Sequence, residues 1–522
     1  MVSVVEAQVV GHTTSSIPRV HVVYLVEVTT NDHKQYTIQR RFSEFTNLHD
    51  SLDDPYPLPP KRQLHSALVP LAWIDDALLS ERKDGLNQYL DNLISDPNFR
   101  RNPLVSDFFA PGDLASTGEA KPAIMMADTT HADSTREVTD VLAKAADPSK
   151  PLAAAYYPSW SFHNNLPTKL DYSKFDILFF AFVVTNSSCT ISWDSGSQSA
   201  LKALVAAAKG KNTKIVLSVG GWTGSYWFSK SVSSAANRAK FVSALAKAVK
   251  DYNLDGVDID WEYPNSEGAG NPYSSSDSAN LLATLKAIRS ALGASKIISA
   301  AVAHHPWLGA NGRPLSNVSD FAAQMTYVNI MNYDVSGGLA PPGPNAPLGN
   351  SSSTALTAEG ALAQWTAAGF PASKILLGLP LYGYVIKSSA TSIQRDVYKT
   401  AKVDGSSGAQ TLSKAANVAG DLSGYMGSQV AFNQLLAAGA LKKQDGKYVG
   451  TSGYKRGWDT RSSTPFLYNT SKTTFVSYDD PQSLGLKAAF AKKSKMAGCF
   501  TWSMDQDDGT TLQDSIRLGL GI

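Results

Sequence analysis

A chain of 522 residues is too long for an ordinary single domain and has room for two or three. Its 43% hydrophobic and 18% charged residues are typical of a folded globular protein. The formal net charge of +2 gives no overall electrostatic reason to expect nucleic-acid binding, and the two cysteines, Cys189 and Cys499, cannot build a disulfide framework or a structural zinc site.

Two sequence features give opposite indications about the compartment. No hydrophobic run reaches transmembrane length, and the N-terminus lacks the basic segment, apolar segment and cleavage site of a secretion signal. Four Asn-x-Ser/Thr tripeptides, the acceptor pattern for N-glycosylation, begin at Asn186, Asn317, Asn350 and Asn469. The localisation therefore stays open between the interior of the cell and unconventional export.

Residues 1–113 predict a small α+β domain. Alternating apolar residues indicate strands over Val20–Val28 and Gln35–Arg40, with a turn at Asn31-Asp32. Helical spacing follows over Arg41–Leu52. A proline-rich extended segment, a helix capped by Ser80 and a short closing helix complete the domain, over Pro55–Arg62, Glu81–Ser95 and Asn102–Phe109.

This block resembles a phox-homology (PX) domain, through Arg40-Arg41-Phe42-Ser43-Glu44-Phe45, Leu58-Pro-Pro-Lys61 and the helix from Glu81. The resemblance implies binding to membranes that carry phosphatidylinositol 3-phosphate. By position, Arg41 would pair with the 3-phosphate and Phe42 would stack under the inositol ring, while Lys61 and Arg82 would meet the 1-phosphate and the 4- and 5-hydroxyls. Arginine suits this role because its planar fork binds phosphate through two hydrogen bonds. The alternative is that these are ordinary surface cations.

Residues 114–150 predict a flexible linker, because Ser, Thr, Ala, Asp and Lys dominate them. Thr135–Ala146 could form one short helix. The linker separates the N-terminal block from a third region of different character, residues 151–522.

From Ala153 onward, short apolar runs alternate with helical patterns, which indicates a parallel α/β barrel of the (β/α)8, or TIM-barrel, type. Eight strands are predicted over Ala153–Pro158, Ile177–Val184, Lys214–Gly221, Gly256–Glu262, Lys296–Ala303, Tyr327–Asp334, Lys374–Tyr382 and Gly498–Met504. Helices between them are predicted over Ser199–Lys209, Ala235–Tyr252, Ser278–Leu292, Ala355–Ala368 and Pro481–Lys495. Residues 384–468 are too many for a βα loop and predict an insertion.

The stretch Asp255-Gly-Val-Asp-Ile-Asp-Trp-Glu-Tyr263 carries the chemistry. As a strand it places Asp258, Asp260 and Glu262 on one face, with apolar side chains on the other. Neighbouring ionised carboxylates repel each other, so we expect the row to share a proton and to hold Glu262 partly protonated near neutral pH, as a general acid requires. A metal-binding or merely solvated acidic strand is the alternative.

This stretch resembles the DxxDxDxE signature of family 18 glycoside hydrolases, the chitinases. The resemblance implies that the insertion at residues 384–468 is a small α+β domain. The resemblance implies that Glu262 is the acid/base, that Asp260 orients the substrate acetamido group, and that Asp258 supports the proton relay. Ser218-Val-Gly-Gly221-Trp222 and Met331-Asn-Tyr333-Asp334 are similar to two further motifs of the family. By that likeness Tyr333 would bind the acetamido oxygen and Asp334 the sugar on the leaving side. Substrate contacts are expected also at Tyr156, Ser218, Gly221, Trp222, Met331 and Trp502.

The implied reaction is the hydrolysis of β-1,4-linked N-acetylglucosamine polymers with retention, assisted by the substrate's own acetamido group, without a metal or organic cofactor. Two lone aromatics, Trp365 and Trp458, could line sugar subsites, although core packing is the commoner role. The rival functions are an endo-β-N-acetylglucosaminidase of N-glycans, a catalytically silent carbohydrate-binding barrel, and a PX-based membrane adaptor. The combination of domains suggests a fungal protein.

Overall fold

The computed structural model describes residues 4–15, 21–32, 34–52, 54–59, 76–100, 102–110, 150–349, 355–394 and 418–522. The chain divides into two compact units, residues 1–130 and 131–522. The predicted helix over Thr135–Ala146 and most of the predicted linker lie outside the described residues.

The N-terminal unit is a small antiparallel sheet with helices, as predicted, although the sheet has three strands and the sequence indicated two. Its strands follow the order β1-β2-β3, and its elements are β1 (Val4–Ser15), β2 (His21–Thr30), β3 (Gln35–Arg41), α1 (Phe42–Leu52), α2 (Asp76–Ser95) and α3 (Pro103–Phe109). The sequence did not indicate β1, because register shifts near Val4 and Val9 break the two-residue alternation of the strand. The predicted turn at Asn31-Asp32 is confirmed, and Thr30 Oγ1 donates to Asp32 Oδ1 at 2.5 Å.

Helix α2 begins at Asp76, so the prediction that Ser80 caps a helix from Glu81 is wrong. The residues before Ser80 are Ala77, Leu78 and Leu79, which favour helix strongly enough to extend it. The buried face of α2 includes Leu86, Tyr89, Leu90 and Leu93, as the helical spacing predicted.

The C-terminal end of α3 is held by two side chains of β3. Arg40 donates through Nε and Nη2 to the carbonyl oxygen of Phe108, at 3.0 and 2.6 Å, and Tyr36 donates to the carbonyl oxygen of Phe109 at 2.9 Å. These carbonyls have no partner inside the helix, since the last turn leaves its acceptors unused. Arg40 and Tyr36 therefore cap the helix from the sheet.

In the second unit, eight parallel strands of the described chain close into the predicted barrel. They pair in the order β4-β5-β7-β8-β9-β10-β11-β19, and β19 pairs with β4. The strands, together with the added antiparallel strand β6, are β4 (Leu152–Pro158), β5 (Ile177–Thr185), β6 (Ile191–Trp193), β7 (Lys214–Gly220), β8 (Gly256–Asp260), β9 (Ile297–Val302), β10 (Tyr327–Ile330), β11 (Ile375–Pro380) and β19 (Gly498–Trp502).

Helices surround this barrel, and their apolar faces pack on the outward side chains of the strands. They are α4 (Ser197–Ala208), α5 (Phe228–Val232), α6 (Ala235–Asp251), α7 (Asp277–Leu292), α8 (Ser319–Gln324), α9 (Ala358–Ala367), α11 (Pro481–Lys493) and α12 (Thr511–Leu520). Trp365 of α9 is fully buried against Trp307 and Phe370, so its role is core packing and not sugar binding.

An antiparallel sheet is inserted between β11 and α11. Its strands pair in the order β13-β12-β18-β17-β16, and a separate hairpin and a short helix lie between β13 and β16. The elements are β12 (Tyr382–Lys387), β13 (Gln429–Ala431), α10 (Phe432–Ala437), β14 (Leu441–Gln444), β15 (Lys447–Gly450), β16 (Lys455–Asp459), β17 (Thr464–Asn469) and β18 (Thr474–Ser477). Trp458 is half-buried on the edge strand β16, with the guanidinium of Arg456 5.5 Å from its ring.

A fully buried ion pair joins the segment after β18 to helix α11. The Lys487 ammonium contacts Asp479 Oδ1, and both side chains have no exposed surface. Ser483 Oγ donates to the same carboxylate oxygen at 2.6 Å. Burial of two opposite charges together is tolerated because each compensates the other.

Candidate active site

Asp258 is enclosed by four hydrogen-bond donors from four other barrel strands. It lies level with Ser218 on β7 and Ser299 on β9, and the two hydroxyls donate to Oδ2 and Oδ1, each at 2.7 Å. Tyr156 on β4 donates to Oδ2 at 2.8 Å, and Asn329 on β10 donates to Oδ1 at 3.2 Å. Burial raises the pKa of Asp258, while the three hydroxyl donors act in the opposite direction.

Asp260 and Glu262 follow Asp258 toward the C-terminal end of the barrel. Their exposed fractions are only 4% and 2%. Burial, and then the charges of Glu262 and Asp258, raise the pKa of Asp260 well above its usual range. Burial and mutual repulsion therefore oppose the simultaneous ionisation of these carboxyl groups, the condition under which a row is expected to share a proton. Partial protonation of Glu262 itself stays a prediction.

The two outer carboxyl groups line one small cavity at this end of the barrel. Its other lining residues are Tyr156, Phe182, Trp222, Ala301, Met331, Tyr333 and Trp502. Five of these seven were predicted as site residues, and four different barrel strands position them. The structure thus brings together groups that are separated by more than three hundred residues along the chain.

The walls of the cavity are aromatic. Trp502 is stacked against Phe182, with ring centroids 5.6 Å apart and planes at 27°, and lies edge-on to Tyr156 at 5.3 Å. Such a flat apolar surface suits the C–H face of a sugar ring. Burial and the charges of Asp260, Asp334 and Glu262 raise the pKa of Tyr333 far above its usual value, so its hydroxyl remains a hydrogen-bond donor.

Besides Asp258, three predicted site residues of the barrel lie outside the cavity lining. Ser218 bonds to Asp258 behind it, and Gly221 packs beneath Phe182, whose ring would lie 2.8 Å from a Cβ at that position. Asp334 follows β10 and turns toward the inserted sheet. Its Oδ1 accepts hydrogen bonds from Tyr382 and Tyr384 of β12, at 2.6 and 2.7 Å.

Four residues of the site were not predicted from the sequence. Phe182 and Ala301 line the cavity, and Ser299 and Asn329 hold Asp258. Lone polar residues within otherwise apolar strands were the available signal for Ser299 and Asn329, since such residues must find a partner when buried. A further aromatic, Trp160, lies just after β4 with 44% of its surface exposed, 6.3 Å from Trp502.

The predicted phosphoinositide-binding residues cannot be located in the same way. Lys61 lies outside the described residues, as do the side chains of Arg41, Phe42 and Arg82. The neighbouring cation, Arg40, is described, and its guanidinium is engaged with the carbonyls of α3.

Two structural features are absent from the described part of the chain. No group of three or more His, Cys, Asp or Glu side chains in those ranges could hold a metal ion. No helix in them is long and apolar enough to cross a membrane.

Comparison with protein families gives two matches. The model for glycosyl hydrolases family 18 matches residues 153–507, and the model for the PX domain matches residues 28–111. These ranges correspond to the barrel unit and to most of the N-terminal unit.

Individual relatives agree with the first match. A chitinase-like effector from Moniliophthora roreri is 32% identical over 395 residues, which cover 73% of this chain and 96% of the relative. Chitinase A1 of Niallia circulans is 32% identical over 333 residues, which cover 59% of this chain and 43% of that enzyme. Among solved structures, a chitinase from Rhizomucor miehei superposes with a TM-score of 0.58 at 32% identity, covering 70% of this chain and 99% of that one.

Proposed function

The chain belongs to glycosyl hydrolase family 18 and carries a PX domain, and from this premise we propose that it hydrolyses β-1,4-linked N-acetylglucosamine polymers. The observation that carries the proposal is the buried carboxyl row, whose inner member is saturated with hydrogen bonds while the outer two face an aromatic cavity. A row that served only as structure would not leave two of its acids at a cavity wall.

The proposed mechanism starts with Glu262. Its carboxyl proton passes to the glycosidic oxygen, and the acetamido oxygen of the same sugar attacks C1 as the bond to the leaving sugar breaks. Tyr333, a buried phenol, donates a hydrogen bond that orients the acetamido group. Asp260 stabilises the positive charge of the oxazolinium ion. Glu262 then removes a proton from water, whose oxygen bonds to C1 as the bond between C1 and the acetamido oxygen breaks, which regenerates the acetamido group with overall retention.

Asp258 has a supporting role in this proposal. Its four donors favour its negative form, and that charge raises the pKa of the neighbouring Asp260. Asp260 can therefore share a proton with Asp258 before the reaction. During the reaction its carboxyl group interacts with the substrate. No step uses a metal or an organic cofactor.

Hydrolysis of a fluorogenic N-acetyl-chitooligosaccharide by the full chain and by Glu262→Gln tests the proposal. The wild type should turn over, while the variant should bind the oligosaccharide and lose about three orders of magnitude or more in kcat. Hydrolysis retained by Glu262→Gln would refute the assignment of the acid. Binding without turnover in the wild type would favour a catalytically silent, sugar-binding barrel, a reading that the relatives named chitinase-like effectors keep open.

The substrate needs its own comparison, because endo-β-N-acetylglucosaminidases would use the same carboxyl pair. Colloidal chitin and a high-mannose glycopeptide should be supplied to the same enzyme. Release of chitooligosaccharides alone supports the proposal, whereas cleavage of the glycopeptide alone favours the N-glycan alternative.

We also propose that the PX domain binds phosphatidylinositol 3-phosphate membranes, with Arg41, Phe42, Lys61 and Arg82 around the headgroup. The engagement of Arg40 with α3 supports this, since of the two adjacent arginines Arg40 already has a structural task. Sedimentation with liposomes that contain the lipid should be lost in Arg41→Gln and kept in the matched control Lys34→Gln. If hydrolysis is absent while sedimentation persists, the adaptor reading becomes the better one.

A further inference from the structure

Glu262 lies two residues beyond the end of its strand, past the last pairs that β8 makes with its described neighbours. The last pairs of β8 are Gly220 with Asp260 on one side and Ile259 with Ala300 on the other. Because Glu262 is buried, its N–H and C=O must find other partners or cost free energy. Side chains of two separate loops supply them.

The N–H group is bound by Ser225, a fully buried residue in the loop after β7. Its Oγ accepts the Glu262 N–H at 3.0 Å and donates to the carbonyl oxygen of Gly221 at 2.8 Å. The carbonyl oxygen of Asp260 lies 3.2 Å from the same hydroxyl. One side chain thus ties the end of β7 to the peptide groups on both sides of Trp261.

The C=O group is bound by Asn271, in the loop that leads from Glu262 to α7. Asn271 is 4% exposed, and its Nδ2 donates to the Glu262 carbonyl oxygen at 3.0 Å. The loop passes so close to this carbonyl that a Cβ at Gly268 would lie 1.9 Å from the oxygen. Glu262 is therefore fixed from two sides.

We propose that Ser225 and Asn271 are positioning residues, which hold the backbone of Glu262 so that its carboxyl group sits at the depth needed to protonate the glycosidic oxygen. The inference rests on the proposed hydrolase function. Neither side chain lines the cavity, so neither is expected to contact the substrate. Their loss should lower the rate of the chemical step and leave substrate binding nearly unchanged.

The test compares Ser225→Ala and Asn271→Ala with the wild type on the fluorogenic oligosaccharide. We expect kcat to fall about 10- to 100-fold, because a displacement near 1 Å can cost that much. KM should stay within about twofold, the pattern of an interaction that acts on the transition state alone. The matched control is Thr213→Val, which removes a buried hydroxyl that donates to the Tyr172 and Phe175 carbonyls at the opposite end of β7. The control should keep its kcat.

Hydrogen exchange of the peptide that contains the Glu262 amide gives a readout that needs no activity. Exchange of this amide should quicken in Ser225→Ala and stay slow in Thr213→Val. Unchanged kcat and unchanged exchange in both loop variants would overturn the inference while hydrolysis itself stood. An equal loss of kcat in Thr213→Val would also overturn it, because general destabilisation would then suffice. A wild type without activity refutes the proposed function. The exchange of the Glu262 amide alone then decides whether Ser225 holds the backbone of Glu262.

Discussion

The hydroxyl of Tyr156 reaches across the interior of the barrel to Asp258, and its oxygen lies 2.8 Å from Asp258 Oδ2. This bond joins the first strand of the barrel to the strand of the acidic row, 102 residues later in the chain. It matters for function because it favours the ionised form of a carboxyl group whose pKa burial raises.

Replacing Tyr156 by Phe should move the acid limb of the pH–activity profile toward higher pH. The bond lowers the pKa of Asp258, so its removal raises that pKa, and the ionised form is lost earlier as the pH falls. We expect a displacement of about one pH unit, the equivalent of one hydrogen bond. Tyr157→Phe, which removes a hydroxyl bonded to the Asn165 carbonyl, is the control. Identical profiles in the two variants would contradict this account.

Replacing Asp260 by Asn should abolish hydrolysis and stabilise the fold at neutral pH. The pKa of Asp260 is higher in the folded protein than its ordinary 3.8, so the folded state binds more protons and loses stability as the pH rises above that value. The asparagine variant has no such loss. Its melting temperature should exceed that of the wild type by a few degrees at pH 7, and the gap should narrow toward pH 4.

The exposed control for this experiment is Asp320→Asn, since the Asp320 side chain is 73% exposed. The free energy of unfolding of this variant should stay within about 0.5 kcal/mol of the wild-type value at either pH. A melting temperature of Asp260→Asn that falls below the wild type at pH 7 would contradict the prediction.

Trp160 should matter for long substrates and not for short ones. The ring lies beside Phe182 and Trp502 but outside the cavity, and 44% of its surface is open to a sugar bound further along. A sugar that covers about 50 Å² of the apolar ring gains roughly 1 kcal/mol of binding free energy. In Trp160→Ala we expect kcat/KM to fall about fivefold for a chitopentaose and to hold for a chitobiose derivative. The control Trp458→Ala should leave kcat/KM unchanged for both substrates. If Trp160→Ala lowers kcat/KM equally for both substrates, a role beyond the cavity is contradicted.

Breaking the buried ion pair should lower the free energy of unfolding far more than breaking an exposed pair. Lys487→Met leaves the Asp479 carboxylate buried without its cation and should destabilise the barrel by about 3–5 kcal/mol. The exposed pair Lys247–Asp251 offers a matched change, Lys247→Met, expected to cost less than about 1 kcal/mol. Denaturant unfolding followed by tryptophan fluorescence measures both. Adding Asp479→Leu to Lys487→Met should recover much of the loss.

The barrel and the acidic row were predictable because both depend on local patterns. Apolar runs at regular intervals indicate parallel strands, and alternation within Val257–Glu262 sorts acids from apolar residues. The strand β8 nevertheless ends at Asp260, two residues before the predicted end. Strand termination depends on whether neighbouring backbone groups remain within reach, and here the side chains of Ser225 and Asn271 replace them.

The residues that the sequence did not indicate act through contacts between distant segments. Ser299 and Asn329 owe their place beside Asp258 to the relative register of strands, and register is not encoded within one strand. In the N-terminal unit, β1 has bulges that break the alternation on which strand prediction depends.

The hydrogen bonds of Asp334 have a consequence for the engineering of the barrel. Both tyrosines that hold this carboxylate belong to β12, the first strand of the inserted sheet, and Gln429 of β13 donates to Tyr384 at 3.0 Å. The inserted sheet therefore cannot be removed without changing the surroundings of Asp334. Excising it would remove two hydrogen-bond donors from a buried acid next to the candidate active site, so the barrel and the inserted sheet must be redesigned together.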